Sequence, residues 1–322
     1  MVRGVFGLLA ILLLPAAASA QQIFESVGCR ALGMAGAFVA VANDASAVYW
    51  NPAGLANGPL GGATIEWSQF RTGDPKAPAG ASTGRDSKLM SLGSLPLGLS
   101  YVRLQETSLN SVAGAPLTAQ SLSLSQYGVT LLQTVTRGLV VGTTLKYVRG
   151  TLTSESASGT TNDEVLQHAA NLSGRTTSAF DVDLGVMIDA QYVRVGLTVR
   201  NLRQPTFTDV AGTAIQLKRH ARMGVAVLPT SGLILAVDLD LDTVSLRDGP
   251  RRMLAFGGEQ RLGSAFAIRG GTRWNLEGDR HLVGAFGASV LIRRGAWLDG
   301  QVTRGGSMAT DRGFGIALRG VF

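Results

Sequence analysis

Residues 192–202 read YVRVGLTVRNL, and their alternation decides the fold. Val193, Val195, Leu197 and Val199 lie on one side of an extended chain, with Arg194, Gly196, Thr198 and Arg200 on the other, because successive side chains of a strand point to opposite faces. The same scheme recurs in LILAVDLDLD (233–242), where Leu233, Leu235, Val237, Leu239 and Leu241 oppose Asp238, Asp240 and Asp242. It recurs again in AFDVDLGVMID (179–189), with Phe180, Val182, Leu184, Val186 and Ile188 against Asp181, Asp183 and Asp189. Each apolar row is long enough for a tilted strand to cross a bilayer, which takes about 9–11 residues.

Outward from these segments the chain reads as short alternating stretches separated by turn residues. Strands are expected over 60–70, 86–95, 97–106, 122–135, 138–149, 178–190, 192–202, 217–228, 233–245, 251–261, 264–274, 281–292, 296–304 and 311–322. That is about fourteen, an even number, as single-chain bacterial barrels have. The connections after the first, third, fifth and seventh strands are long (around 71–85, 107–121, 150–177 and 203–216), whereas SLPLG, VTRG, DAQY and LPTSG are tight. Short periplasmic turns alternating with longer outer loops are the pattern of such barrels. An open sheet with these apolar rows would leave unpaired edges in hydrocarbon, so the sheet must close.

The bulk numbers agree. The 322 residues are 45% hydrophobic and only 16% charged, against about 25% charged in soluble domains. Mean hydropathy is +0.21. The 42 glycines make up about twice the usual share. MVRGVFGLLAILLLPAAASAQQ has the basic start, short apolar run and small residues of a signal peptide ending at residue 20. The net charge of +7 is scattered rather than clustered, which argues against nucleic acid as a partner. Contact with outer-membrane lipid and lipopolysaccharide is a natural use of it. Cys29 has no second cysteine to pair with and is expected as a small buried residue.

The final strand, GFGIALRGVF, places Phe314, Ile316, Leu318 and Phe322 on one face. It resembles the C-terminal assembly signal of outer-membrane barrels, which implies recognition by the barrel-assembly machinery through Phe322. Tyr147, Tyr192, Trp274 and Trp297 are expected at strand ends, where interfacial aromatics belong.

Residues 21–58 lack a lipid-compatible face and are expected to form a hatch, or plug, inside the barrel of 59–322. Asp44 can cap a helical turn over 45–50. Pro52 disfavours helix at Asn51, and Gly54 permits a left-handed turn. Gly28, Gly33 and Gly36 allow close backbone approach. The run GCRALGMAGAFVAVANDASAVYWNPAGLA (28–56) resembles the PorV/PorQ branch of the FadL superfamily of outer-membrane barrels. The resemblance implies a monomeric, all-β, fourteen-stranded antiparallel barrel in a Gram-negative outer membrane, with Asn51, Pro52, Ala53 and Gly54 where the hatch turns into the first strand.

The inward rows carry Glu66, Asp181, Asp183, Asp189, Asp238, Asp240, Asp242, Glu259 and Asp299, with Lys146, Arg194, Arg200, Arg269, Arg273, Arg304 and Arg319. Mixed charge in a confined lumen is expected to form an ion-pair network that ties the wall to itself and to the hatch. Asp181, Asp183, Asp238, Asp240, Arg194, Arg200, Arg269 and Arg273 are its principal candidates. Passive transport of a hydrophobic small molecule is the leading expectation. A PorV-like accessory that docks exported proteins beside secretion components is the alternative. Catalysis is not expected: His168, His220 and His281 have no serine motif or acidic dyad beside them, and no cofactor fingerprint is present. The Asp238, Asp240, Asp242 row runs along one strand near basic residues, a poor metal cage.

Overall fold

The alternating rows become the two faces of a closed cylinder. The computed structural model describes residues 25–72, 82–110, 117–156, 159–212, 214–246, 249–278, 280–305 and 312–322. The leader expected over 1–20 and most of the first outer connection lie outside the described residues.

Three short helical elements come first: α1 (Cys29–Gly33), α2 (Ala47–Trp50) and a 3-10 turn over Pro52–Asn57. The strands are β1 (Gly61–Thr72), β2 (Ser82–Ser94), β3 (Leu97–Asn110), β4 (Thr118–Thr136) and β5 (Leu139–Ser156). After helix α3 (Asn162–Ala170) come β6 (Arg175–Ala190), β7 (Val193–Arg200), β8 (Thr206–Thr208), β9 (Ala214–Gln216) and β10 (His220–Thr230). The chain then runs through β11 (Leu233–Asp240), β12 (Val244–Leu246), β13 (Gly249–Arg251), β14 (Met253–Leu262), β15 (Phe266–Asn275), β16 (Leu282–Arg293), β17 (Ala296–Gly305) and β18 (Arg312–Val321).

Fourteen of these strands close antiparallel, each beside its sequence neighbour in the wall, with β1 meeting β18. At the seam Gly61 and Phe322 exchange both backbone hydrogen bonds, 3.2 and 3.1 Å. The pairs β8–β9 and β12–β13 are separate hairpins. They correct two expectations: the strands foreseen over 192–202 and 233–245 stop at Arg200 and Asp240, and the chain beyond each folds into a hairpin. Residues 150–177 likewise hold α3, where only a loop was foreseen.

The outer face is apolar. Ile65, Leu99, Leu184, Val225, Leu235, Ile268, Phe286 and Ile316 are all exposed there, the pattern of a transmembrane barrel wall. Phe314, Ile316, Leu318 and Phe322 share that face and that exposure. Trp274 also points outward and packs edge-on against Phe256, with ring centroids 5.4 Å apart. Two aromatics depart from expectation. Trp297 points inward, buried beneath Arg319, because its parity is that of Asp299 and Gln301. Tyr147 is outward but lies well inside β5 rather than at its end. Arg304 is opposite in parity to Thr303 and Gln301, so it faces outward and not into the lumen.

Helix α3 packs Val165, Leu166 and Ala169 on Leu109 and Ala119 at the long-connection ends of β3 and β4. Thr161 caps it by accepting the Glu164 amide, and Asp163 and Glu164 complement its positive end.

Candidate functional site

A barrel of eight strands is filled by its own side chains, and one of sixteen to eighteen leaves an aqueous channel. At fourteen strands the bore needs a filling, and residues 25–55 supply it: all but Asn43 are buried. Trp50 and Phe38 are among the largest side chains without solvent exposure. They meet edge-on at 5.9 Å, and the Trp50 indole donates to the Val27 carbonyl at 3.0 Å. The filling is therefore aromatic as well as small, and Cys29 is buried within it.

Wall carboxylates hold the backbone of this segment. Glu66 of β1 accepts the Gly28 and Cys29 amides, both at 2.5 Å, at the start of α1. These amides have no partner within the helix, so a carboxylate there satisfies them and the local dipole together. Asp238 of β11 accepts the Phe38 and Val39 amides, both at 2.8 Å, with one oxygen.

Charged side chains make the second set of ties. Arg30 forms a fork with Glu259 of β14 at 2.6 and 2.7 Å and reaches Asp44 at 3.2 Å. Glu25 joins Arg222 of β10 at 2.5 Å and Arg251 at 3.0 Å. Burial pushes the Glu25 carboxyl up, but Arg222, Arg251 and Arg273 outweigh it and hold the group down at about 2. Asp44 is likewise lowered: burial opposes ionisation, and Arg30 and Arg319 overcome it.

Among the candidate network residues, Lys146 bridges Asp181 at 2.9 Å and Asp183 at 2.6 Å, and Arg200 approaches Asp183 at 3.7 Å. Arg200 also stacks over the Tyr49 ring at 3.7 Å. Asp240 takes Arg222 at 2.6 Å, while Arg269 takes Glu259 at 2.5 Å and Asp299 at 3.6 Å. Arg194 pairs with Asp189 at 2.7 Å near the periplasmic turn. Arg273 is buried and acts electrostatically on Glu25. Asp238 accepts two backbone amides and also lies in the field of Arg222. Asp242 lies half-exposed at the rim.

The run 44–54 differs in detail from expectation. Helix α2 begins at Ala47, and Asp44 acts ahead of it by accepting the Ser46 amide at 2.9 Å and the Ser46 hydroxyl. Asn51 accepts the Ala53 amide at 3.2 Å and donates to the carbonyls of Val39 and Val186, at 3.0 and 3.1 Å. It joins the segment to β6. Pro52 opens the 3-10 turn, and Ala53 packs on Val140 and Met187. Gly54 is not left-handed. A Cβ there would sit 2.1 Å from the Ala42 carbonyl oxygen, so the residue is needed for close backbone approach.

On the side of this filling toward the long connections, the lumen holds an apolar cluster, with Arg85 and Glu106 facing inward in the same cross-strand row as Leu122 and Leu152. Leu104 of β3, Leu122 and Leu124 of β4, and Val148 and Leu152 of β5 form one cluster with Phe207 and Ile215 of the β8–β9 hairpin. Porin interiors are polar. Below the filling, a vestibule of about 750 Å3 opens between the periplasmic turns, lined by Arg30, Asp44, Arg194, Glu259, Trp297 and Arg319 among others. Beside Tyr49, Lys146 and Arg200 lies a separate void of about 10 Å3, no more than the space of one water.

Arg222 and the apolar upper lumen escaped the sequence reading. The parity of Met223, Val225 and Val227, which face lipid, would have placed Arg222 inward. The upper lumen had no such signal, because strands with apolar residues on both faces lose their alternation. His220 contacts Asp240 at 3.0 Å, but that carboxylate also takes Arg222 and the Met253 amide. Among the described residues no three His, Cys, Asp or Glu side chains converge as metal ligands.

A family model described as "F plasmid transfer operon, TraF, protein" matches residues 84–240, just under half of the chain. No curated protein matches. Among solved structures, the chain is similar to the CymD monoaromatic hydrocarbon channel, with a TM-score of 0.68 at 13% identity over 92% of this chain and 98% of that one. It is similar to the toluene transporter TbuX of Ralstonia pickettii (TM-score 0.65, 13% identity, 93% and 99% covered). It is also similar to a FadL homologue of Pseudomonas aeruginosa (0.63, 10%, 92% and 98%). The chain thus shares the fold of FadL-type barrel channels.

Proposed function

We propose that this protein is an outer-membrane barrel through which hydrophobic small molecules pass without an energy source, with residues 25–58 as a hatch. An apolar cluster on one side of the upper lumen carries this reading: Leu104, Leu122, Leu124, Val148 and Leu152 face the bore together with Phe207 and Ile215, where a water-filled pore would be lined by polar groups. Residues 25–55 fill the bore and all but Asn43 are buried, so passage requires the hatch to shift. The names of the similar channels, for toluene and monoaromatic hydrocarbons, make a small aromatic the first cargo to try. In liposomes loaded with an environment-sensitive dye, the protein should speed entry of a small apolar aromatic, and Leu122→Asp should abolish the effect while leaving a folded barrel. Equal entry with both proteins would overturn the reading.

A second reading, a PorV-like accessory that docks exported proteins, is favoured by the run 28–56 and by α3, which turns Asp163, Gln167 and His168 away from its packed face. A deletion strain with normal apolar uptake but retained surface proteins would select it.

A further inference from the structure

The outer wall over β2–β6 differs from the rest of the lipid belt. Met90, Tyr101, Tyr127, Tyr147 and Phe180 stand directly opposite one another across five successive strands. The rings of the last four follow each other at centroid spacings of 5.1, 6.3 and 5.4 Å. They border an apolar depression of about 840 Å3, whose floor includes Leu92, Leu99, Val129 and Leu145.

One outward step toward the extracellular ends, the matching row is Lys88, Arg103, Ser125, Arg149 and Ser178. Lys88, Arg103 and Arg149 are exposed, and among the described residues none of the three pairs with a carboxylate. With strands about 4.8 Å apart, the three cations fall within about 15 Å. The nearest outward acid, Asp86, is engaged by Arg71 at 3.1 Å and by Gln69 at 2.9 Å. On the opposite wall Phe256, Ile268, Trp274 and Phe286 face outward, and Arg304, in the cross-strand row of Phe256, is a charged position there.

We propose that this face binds lipopolysaccharide of the outer leaflet, with lipid A phosphates on Lys88, Arg103 and Arg149 and an acyl chain in the depression beneath the tyrosines. Three uncompensated cations above a greasy hollow complement a phosphorylated headgroup carrying several chains. The tyrosines suit the boundary, because each offers an apolar ring below and a hydroxyl above. The proposal rests on the outer-membrane placement and not on passage of any cargo.

The test uses the purified full-length protein in non-ionic detergent, titrated with bis-phosphorylated lipid A, with the same lipid after dephosphorylation, and with phosphatidylglycerol. Binding is read by native mass spectrometry. Lipid A should bind most tightly, and the variant K88Q/R103Q/R149Q should weaken it about 100-fold, while R304Q, an outward arginine elsewhere, leaves it unchanged. Equal affinity for both forms of lipid A, or an unchanged triple variant, would overturn the site. Equal binding of phosphatidylglycerol would reduce it to a non-selective basic surface and overturn the assignment to lipopolysaccharide. The lipid comparison needs no variant, so it stands if the triple substitution fails to fold. Cell fractionation tests the membrane placement separately.

Discussion

Replacing Arg30 by methionine isolates one tie between the buried segment of residues 25–55 and the wall. The side chain is 9% exposed and makes a fork to Glu259 at 2.6 and 2.7 Å plus a bond to Asp44 at 3.2 Å. Removing one partner of a buried pair costs about 3–5 kcal/mol, because the other charge is left without compensation. Glu259 keeps Arg269 at 2.5 Å and Asp44 keeps Ser46 at 2.9 Å, so the lower figure applies, about 3 kcal/mol. The equilibrium for local release of the hatch should then rise about 100-fold. Hydrogen exchange in detergent reads this directly, since protection reports the free energy of local opening. Amides of residues 28–44 should lose protection by that factor in Arg30→Met, with β14–β18 unchanged, and Arg30→Lys should fall between. Unaltered protection in 28–44 would refute the claim that this pair secures the hatch. Equal loss in the wall strands would show instead that the pair holds the barrel as a whole.

Asp238→Asn leaves shape intact but weakens the acceptor of the Phe38 and Val39 amides. It should lower protection at those two positions by about tenfold, one charge-assisted hydrogen bond being worth about 1.5–3 kcal/mol. Gly54→Ala should displace the 3-10 turn, since its Cβ would meet the Ala42 carbonyl at 2.1 Å; a loss of about 1–3 kcal/mol should appear as a lower heat-unfolding midpoint on semi-native gels. The Glu25 carboxyl is held down in the folded protein, so the stability it contributes is present above its ordinary value near 4.5 and disappears as pH falls toward about 2. The difference in exchange protection between the parent protein and Glu25→Gln should therefore be constant from pH 8 to 5 and shrink below. Arg222, Arg251, Arg273 and Asp240 act on Glu25, so Arg222→Met should shift the decline upward in pH.

The barrel was legible in the sequence because a lipid-facing wall forces period two. In β6, β7 and β11, where one face is apolar and the other carries the lumen charges, side-chain parity placed the residues on the correct face, whereas Arg304 of β17 was expected inward against its own parity. Loop lengths and the terminal phenylalanine followed from the same geometry. Parity also placed Asp181, Asp183, Arg200 and Arg269 inside, although which charges meet across the bore is a matter of register and strand position. Only the tertiary structure decided that Glu66 and Asp238 serve backbone amides, that Arg30 reaches a strand 229 residues away, and that Gly54 is needed for space rather than for a turn. The pairing of 206–208 with 214–216 and of 244–246 with 249–251 was hidden for a related reason. Local pattern reports the medium a residue faces, whereas the partner it meets there is set by chain segments far away in sequence.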